Sequence, residues 1–224
     1  MSKDFFEAIK RGDMAEVERR LAREPVLIHA REEGLSPILV AAYHHEPRIA
    51  SFLADKTVAI SIFEAAATGK INNVIRLLAR NPSLVNAYSE DGFQPLGLAC
   101  FFGHFDVAEY LVKAGASLNS KSGNTLRAAP IQSAAAGKHH RIVRMLLEHG
   151  ADPNIRELGG YTPLHAAAQN GDEEMIRILL FGGADLNITS NNGKTALDLA
   201  LNAGHERAAL LLGEGITKRF HKKE

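Results

Sequence analysis

The chain has 224 residues, 46% hydrophobic and 23% charged, and its 26 basic side chains balance 26 acidic ones, so no global field favours nucleic acid or an anionic membrane. The single cysteine, Cys100, excludes an intrachain disulfide and is compatible with a reducing compartment. No apolar run approaches the ~20 residues of a membrane-spanning helix, and the first residues lack the apolar centre of a signal peptide, so a soluble, cytoplasmic protein is expected.

Residues 5–25 (FFEAIKRGDMAEVERRLAREP) are echoed 57 positions later by residues 62–82 (IFEAAATGKINNVIRLLARNP), with Gly12 matching Gly69, Val17 Val74, Leu21 Leu78 and Pro25 Pro82. The echo marks a duplicated pair of units, roughly 1–33 and 34–57, then 58–91. The second is the shortest and runs through ADKTVAIS with no glycine-rich ending. From there the period tightens. The string Gly-Ala-x-x-Asn begins at Gly115, Gly150 and Gly183, spacings of 35 and 33, and Pro95, Pro130 and Pro163 keep the same spacings, with Ala196 at the next position. Four more units follow at roughly 92–119, 120–156, 157–190 and 191–216. Two extra residues fall in the loop of 120–156, whose finger is expected to project further or be looser. Residues 217–224 form a basic tail carrying Lys218, Arg219, Lys222 and Lys223.

Each unit reads as two short helices and a loop. In 157–190, Thr162 is the cap of a first helix with Pro163 in its first turn, where a missing N–H costs nothing. Ala166, Ala167 and Ala168 keep that helix slim, and Gly171 ends it. Asp172 caps the second helix, Glu173 and Glu174 favour its positive end, and Met175, Ile176, Leu179 and Leu180 form its apolar face. Neither helix buries that face alone, so adjoining units must stack.

Thr162-Pro163-Leu164-His165-Ala166-Ala167 resembles the Thr-Pro-Leu-His-x-Ala signature of the ankyrin repeat family, whose unit is 33 residues long. The resemblance extends over 92–119 and 191–216 and, in the second helices, over the N-terminal units. It implies one domain over 1–216: an all-α solenoid of about seven helix–turn–helix units with short β-turn fingers and polar outer faces on the end units. It also implies a non-catalytic scaffold or adaptor that binds a protein partner, expected to act as a monomer.

No residue carries a catalytic, cofactor or metal assignment. His165 falls at a position whose copies are Gly97, Gln132 and Asp198, which share no catalytic chemistry. In the family the matching histidine bonds backbone and threonine groups of adjoining turns. The pairs His44-His45, followed by Glu46, and His139-His140 suggest a metal-binding or enzymatic alternative. His139 aligns with His104 and His205, however, which favours turn histidines. Cys100 aligns with Ala42, Ala135 and Ala168 and reads as a core thiol. The tail suggests a weak nucleic-acid contact as a further alternative, which the balanced body disfavours. No small-molecule substrate is expected.

The family presents its fingers and the exposed side of its first helices as a concave face. Carried onto this sequence, the contact positions include Tyr43 and His44, then Tyr88, Glu90, Asp91, Phe93, Phe101 and Phe102, then Arg156, Leu158, Tyr161, Gln169 and Asn170. Six of these are aromatic, so an apolar patch with an acidic rim from Glu32, Glu33, Glu90 and Asp91 is expected. Both adjacent phenylalanines are expected on this patch; the competing reading, that one turns inward to pack between units, applies most to Phe101. The matching partner is a protein segment with an apolar centre and basic flanks.

Overall fold

The structure, a computed structural model, describes residues 2–220, with the side chains of the last helix described as far as Glu214. Within it the chain makes seven successive helix pairs: α1 (Ser2–Lys10) with α2 (Met14–Arg23), α3 (Pro37–Tyr43) with α4 (Pro47–Lys56), α5 (Ile62–Ala67) with α6 (Ile71–Arg80), α7 (Pro95–Phe102) with α8 (Phe105–Lys113), α9 (Pro130–Ala136) with α10 (His140–Glu148), α11 (Pro163–Gln169) with α12 (Glu173–Phe181), and α13 (Ala196–Asn202) with α14 (Glu206–Phe220). No strand forms among the described residues; one isolated bridge, Glu32 with Leu35, closes a finger. The tail's last residues, 221–224, lie outside the described residues, and α14 runs on into its beginning.

Most of these helices are too short to persist alone. Stacking stabilises them. The first helices form a continuous row from α1 to α13, and the apolar side chains between the rows join into one core from Phe5 to Leu212. Alanines bring that row close: Ala65, Ala66, Ala134, Ala135, Ala167 and Ala168 are fully or almost fully buried. On α12 the buried face is Met175, Ile176, Ile178 and Leu179, with Leu180 only half-buried. That stripe differs from the sequence reading by one side chain, Ile178 being buried where Leu180 is only half-buried.

Three hydrogen-bond ladders explain the recurring letters. The first lies at the start of the first helices. The third helical residue accepts the backbone N–H of the capping residue: Glu64 from Ser61 at 2.8 Å, Gln132 from Ala129 at 2.9 Å, His165 from Thr162 at 3.1 Å and Asp198 from Thr195 at 2.8 Å. A carboxylate, an amide and an imidazole perform one task, since each offers an acceptor there.

The second ladder runs from the turn between the helices of one pair to the first helix of the preceding pair. His104 donates from Nε2 to the Ala67 carbonyl at 2.9 Å, His139 to Phe101 at 3.0 Å and His205 to Gln169 at 3.1 Å. Each ring lies over the left-handed residue of the preceding unit, Gly69, Gly103 or Gly171. A Cβ at Gly103 would meet the His139 ring at 2.4 Å. Where the histidine is replaced by Asp172, the preceding left-handed residue is Lys138, with φ +58°. In these three units the glycine and the ring thus occur together, for a steric reason, whereas Gly12 faces the Glu46 carboxylate.

The third ladder accounts for the Asn of Gly-Ala-x-x-Asn. Asn154 donates to the Gly183 carbonyl at 3.2 Å and accepts the Asp185 N–H at 2.7 Å. Asn119 accepts the Asp152 N–H at 2.9 Å. Asn86, at the end of the 3-10 turn Pro82–Asn86, does the same for Gly115 and Ser117, at 3.3 and 2.8 Å. Unit 58–91, which has this turn in place of Gly-Ala-x-x-Asn, therefore keeps an asparagine that ties it to the next unit.

Two places depart from regularity. The link from α4 to α5 is so short that no finger forms there, and α3 and α5 pack less extensively than the later first helices do. In the last pair, Leu201 and Leu210 are exposed, 60% and 65%, beside half-buried Leu197. The expected polar outer face is therefore not seen on the described part of that end. The leucines repeat the interunit pattern and no following unit covers them among the described residues.

Candidate interaction surface

The inner face is built from the exposed side of the first helices and the bases of the fingers. Each finger is a tight turn closed by backbone bonds: Ser89 N to Phe93 O at 2.9 Å, Glu157 N to Tyr161 O at 3.0 Å, Ser190 N to Lys194 O at 2.8 Å. In 120–156 the two extra residues widen that turn, so Ser122 N bonds Ala128 O at 2.9 Å. The wider finger is not loose, because Asn124 Oδ1 takes the Leu126 N–H at 3.1 Å. Fingers are also tied to one another. Gly123 N donates to Gly92 O at 2.7 Å, Leu158 N to Leu126 O at 3.3 Å and Asn191 N to Gly159 O at 2.9 Å. The face is ordered before anything binds.

Its most apolar part bridges units that are not consecutive. Tyr43, at the end of α3, lies 5.5 Å from Phe102, 6.4 Å from Phe93 and 6.5 Å from Phe101, ring centroid to centroid, and Phe101 meets Phe102 edge-on at 5.0 Å. The Tyr43 hydroxyl donates to Asp91 Oδ2 at 2.6 Å. Burial and the adjacent carboxylate raise its pKa well above the ordinary phenol value. The absent finger and the small Ala67 in the unit between make this meeting possible.

Phe101 and Phe102, both expected on the patch, divide, and it is Phe102 that turns inward. Phe102 packs on the core and lines a cleft with Ala67, Thr68 and His104. Phe101 instead lines a cavity of about 400 Å³ on the inner face, together with Tyr43, Phe93, Leu126, Ala136 and Glu157. The residue next to the left-handed position turns toward the neighbouring unit, and the one before it looks outward.

The remaining expected contacts divide. Tyr88 is half exposed, but its hydroxyl is engaged with Ser120 and the Lys121 carbonyl. Tyr161 stands apart from the cluster, edge-on to His165 at 5.6 Å, in a second cavity of about 300 Å³ lined also by Gln169 and Glu157. Arg156 bonds Thr189 O at 3.0 Å and Asn191 Oδ1 at 3.3 Å, so it serves the finger stack. Leu158, Gln169, Asn170 and His44 are exposed. Of the acidic rim, Glu32 pairs with Lys10 at 2.9 Å and Asp91 holds Tyr43 and Ser89. Glu33 and Glu90 are exposed and unpaired with any described residue. Leu126 and Glu157 were missed in the sequence, although both sit beside or opposite residues that were named.

His104, His139, His140, His165 and His205 all hydrogen-bond within the fold. His165 is 1% exposed, accepts at Nδ1 from Thr162 and donates from Nε2 to the Lys194 carbonyl at 3.0 Å. Burial lowers its pKa below the ordinary value, as it does for His104. His45 occupies a left-handed position, and His140 bonds Asp172 at 2.8 Å. No three His, Cys, Asp or Glu side chains converge as metal ligands would among the described residues. Cys100 is fully buried, and burial pushes its thiol pKa well up.

Known proteins give the same pattern. Residues 131–220 match the family model for ankyrin repeats in three copies, and residues 91–123 match that for a single ankyrin repeat, together more than half the chain. Among curated proteins, the chain is 31% identical over 150 residues to the ankyrin repeat and KH domain-containing protein mask of Drosophila melanogaster, covering 61% of this chain and 4% of that protein. It is 35% identical over 101 residues to the ankyrin repeat and SAM domain-containing protein 6 of Rattus norvegicus, 45% of this chain and 11% of that protein. It is 33% identical over 100 residues to palmitoyltransferase akr1 of Neurospora crassa, 45% of this chain and 14% of that protein. The chain thus spans only a small part of each of these relatives.

Proposed function

The chain belongs to the ankyrin repeat family, and from that premise we propose that it is a non-catalytic scaffold that holds a protein partner on its inner face, acting as a cytoplasmic monomer. The observation that carries this is the 400 Å³ cavity walled by Tyr43, Phe93 and Phe101 on a face already fixed by finger-to-finger hydrogen bonds. Aromatic walls of this kind supply hot spots, and a face ordered in advance loses little entropy on binding. Glu33, Glu90 and Glu157 set a negative surround, so the partner is a protein segment with an apolar centre and basic flanks. The enzymatic activity in the name of one relative belongs to a protein of which this chain matches a small fraction.

The test is affinity capture with the wild type and with the double variant Phe93→Ala/Phe101→Ala, both verified as folded by circular dichroism. Phe102 is left intact because it does not line the cavity. Recovery of the same partner is expected to fall roughly tenfold or more in the variant. Equal recovery would place the binding elsewhere.

A further inference from the structure

We propose that Glu157 is the cation anchor of this face: it receives a lysine or arginine of the bound segment, whose neighbouring apolar side chain sits against Phe93, Phe101 and Leu126. The inference rests on the reading of the inner face as the binding surface, and it assigns the carboxylate a role that repeat architecture alone does not require.

The repeats themselves supply the comparison. Glu157 holds the finger position that Ser89, Ser122 and Ser190 hold in theirs. Each serine hydroxyl accepts a backbone N–H from the returning strand: Phe93 at 2.9 Å, Ala128 at 3.0 Å, Lys194 at 3.3 Å. Glu157 makes no such bond; its finger closes through the backbone alone. The carboxylate is thereby released from the turn. It lines both inner-face cavities, the aromatic one of about 400 Å³ and the adjoining one of about 300 Å³, along with Gln132 and Ala136. It has neither a hydrogen bond nor an ion pair with any described residue. Burial alone raises its pKa, with no cation contributing. A half-desolvated carboxylate without a partner is a cost in the free protein. A cationic side chain arriving with the bound segment would offset it, through a charge-assisted hydrogen bond strengthened by the apolar walls.

Panning a phage-displayed random peptide library on the intact chain tests this, with Glu157→Gln and Glu157→Ser as variants. Glu157→Ser restores the residue of the other fingers, so its Tm is expected to equal or exceed that of the wild type. The peptides enriched on the wild type are expected to carry a Lys or Arg close to a bulky apolar residue and to bind Glu157→Gln roughly tenfold or more weakly. Replacing the peptide's cation by Gln should cost the same factor on the wild type and nothing further on Glu157→Gln. Peptides that lose binding to Phe101→Ala but not to Glu157→Gln would overturn the anchor and leave the proposed function standing. Peptides indifferent to both, or no enrichment over an unrelated folded protein, would overturn both.

Discussion

At the scale of residues, His165 shows how a suggestive side chain is reduced to structure. Its ring accepts from Thr162 and donates to Lys194, which fixes the neutral tautomer with the proton on Nε2. Its folded-state pKa lies below 6.5, so the neutral ring's contribution to stability is complete above pH 6.5 and is lost as the pH falls through the lowered value. Gln132 performs the same task on α9 with an amide. His165→Gln is therefore expected to stay within about 1 kcal/mol of wild type at neutral pH and to show a shallower loss of stability on acidification. Urea unfolding at several pH values checks this. Some acid sensitivity should remain, because His104 is shifted in the same direction. A variant with the wild-type acid slope would assign that sensitivity to other groups.

At the scale of elements, the left-handed glycine that follows most of the first helices has two separable duties. It adopts a left-handed backbone, and in three units it makes room for the next unit's histidine. Gly103 does both, whereas Gly204 has φ +73° and nothing within reach of a Cβ. Gly204→Ala is expected to cost about 1 kcal/mol, from backbone strain alone. Gly103→Ala should cost roughly 2–3 kcal/mol, since the His139 ring must also move. Thermal unfolding of the two variants separates the duties, and equal losses would contradict the steric role.

This pairing also shows why the fold was legible in the sequence. Glycine, proline, asparagine and histidine recur at one period because each satisfies a specific backbone need, so counting them finds the helix pairs. The meeting of Tyr43 with Phe93, Phe101 and Phe102 was harder to see. It arises from a finger that is absent and from a small residue in the unit between, neither of which leaves a motif. Glu157 was passed over for a similar reason. Its meaning appears only beside Ser89, Ser122 and Ser190, once the hydrogen bonds of those serines are known.

At the scale of the whole molecule, packing is local along the row, and every pair leans on its neighbours. Such an arrangement holds side chains from distant parts of the sequence on one face without a long-range rearrangement. Tyr43, Phe101, Leu126 and Glu157 line one cavity for that reason. The central claim is that this face is where a partner protein is held. Hydroxyl-radical footprinting of the chain, alone and bound to its captured partner, reads aromatic side chains directly. The account expects Tyr43, Phe93 and Phe101 to become protected on binding while Phe181, exposed on α12, keeps its reactivity. Protection of Phe181 with Phe93 and Phe101 unchanged would contradict it.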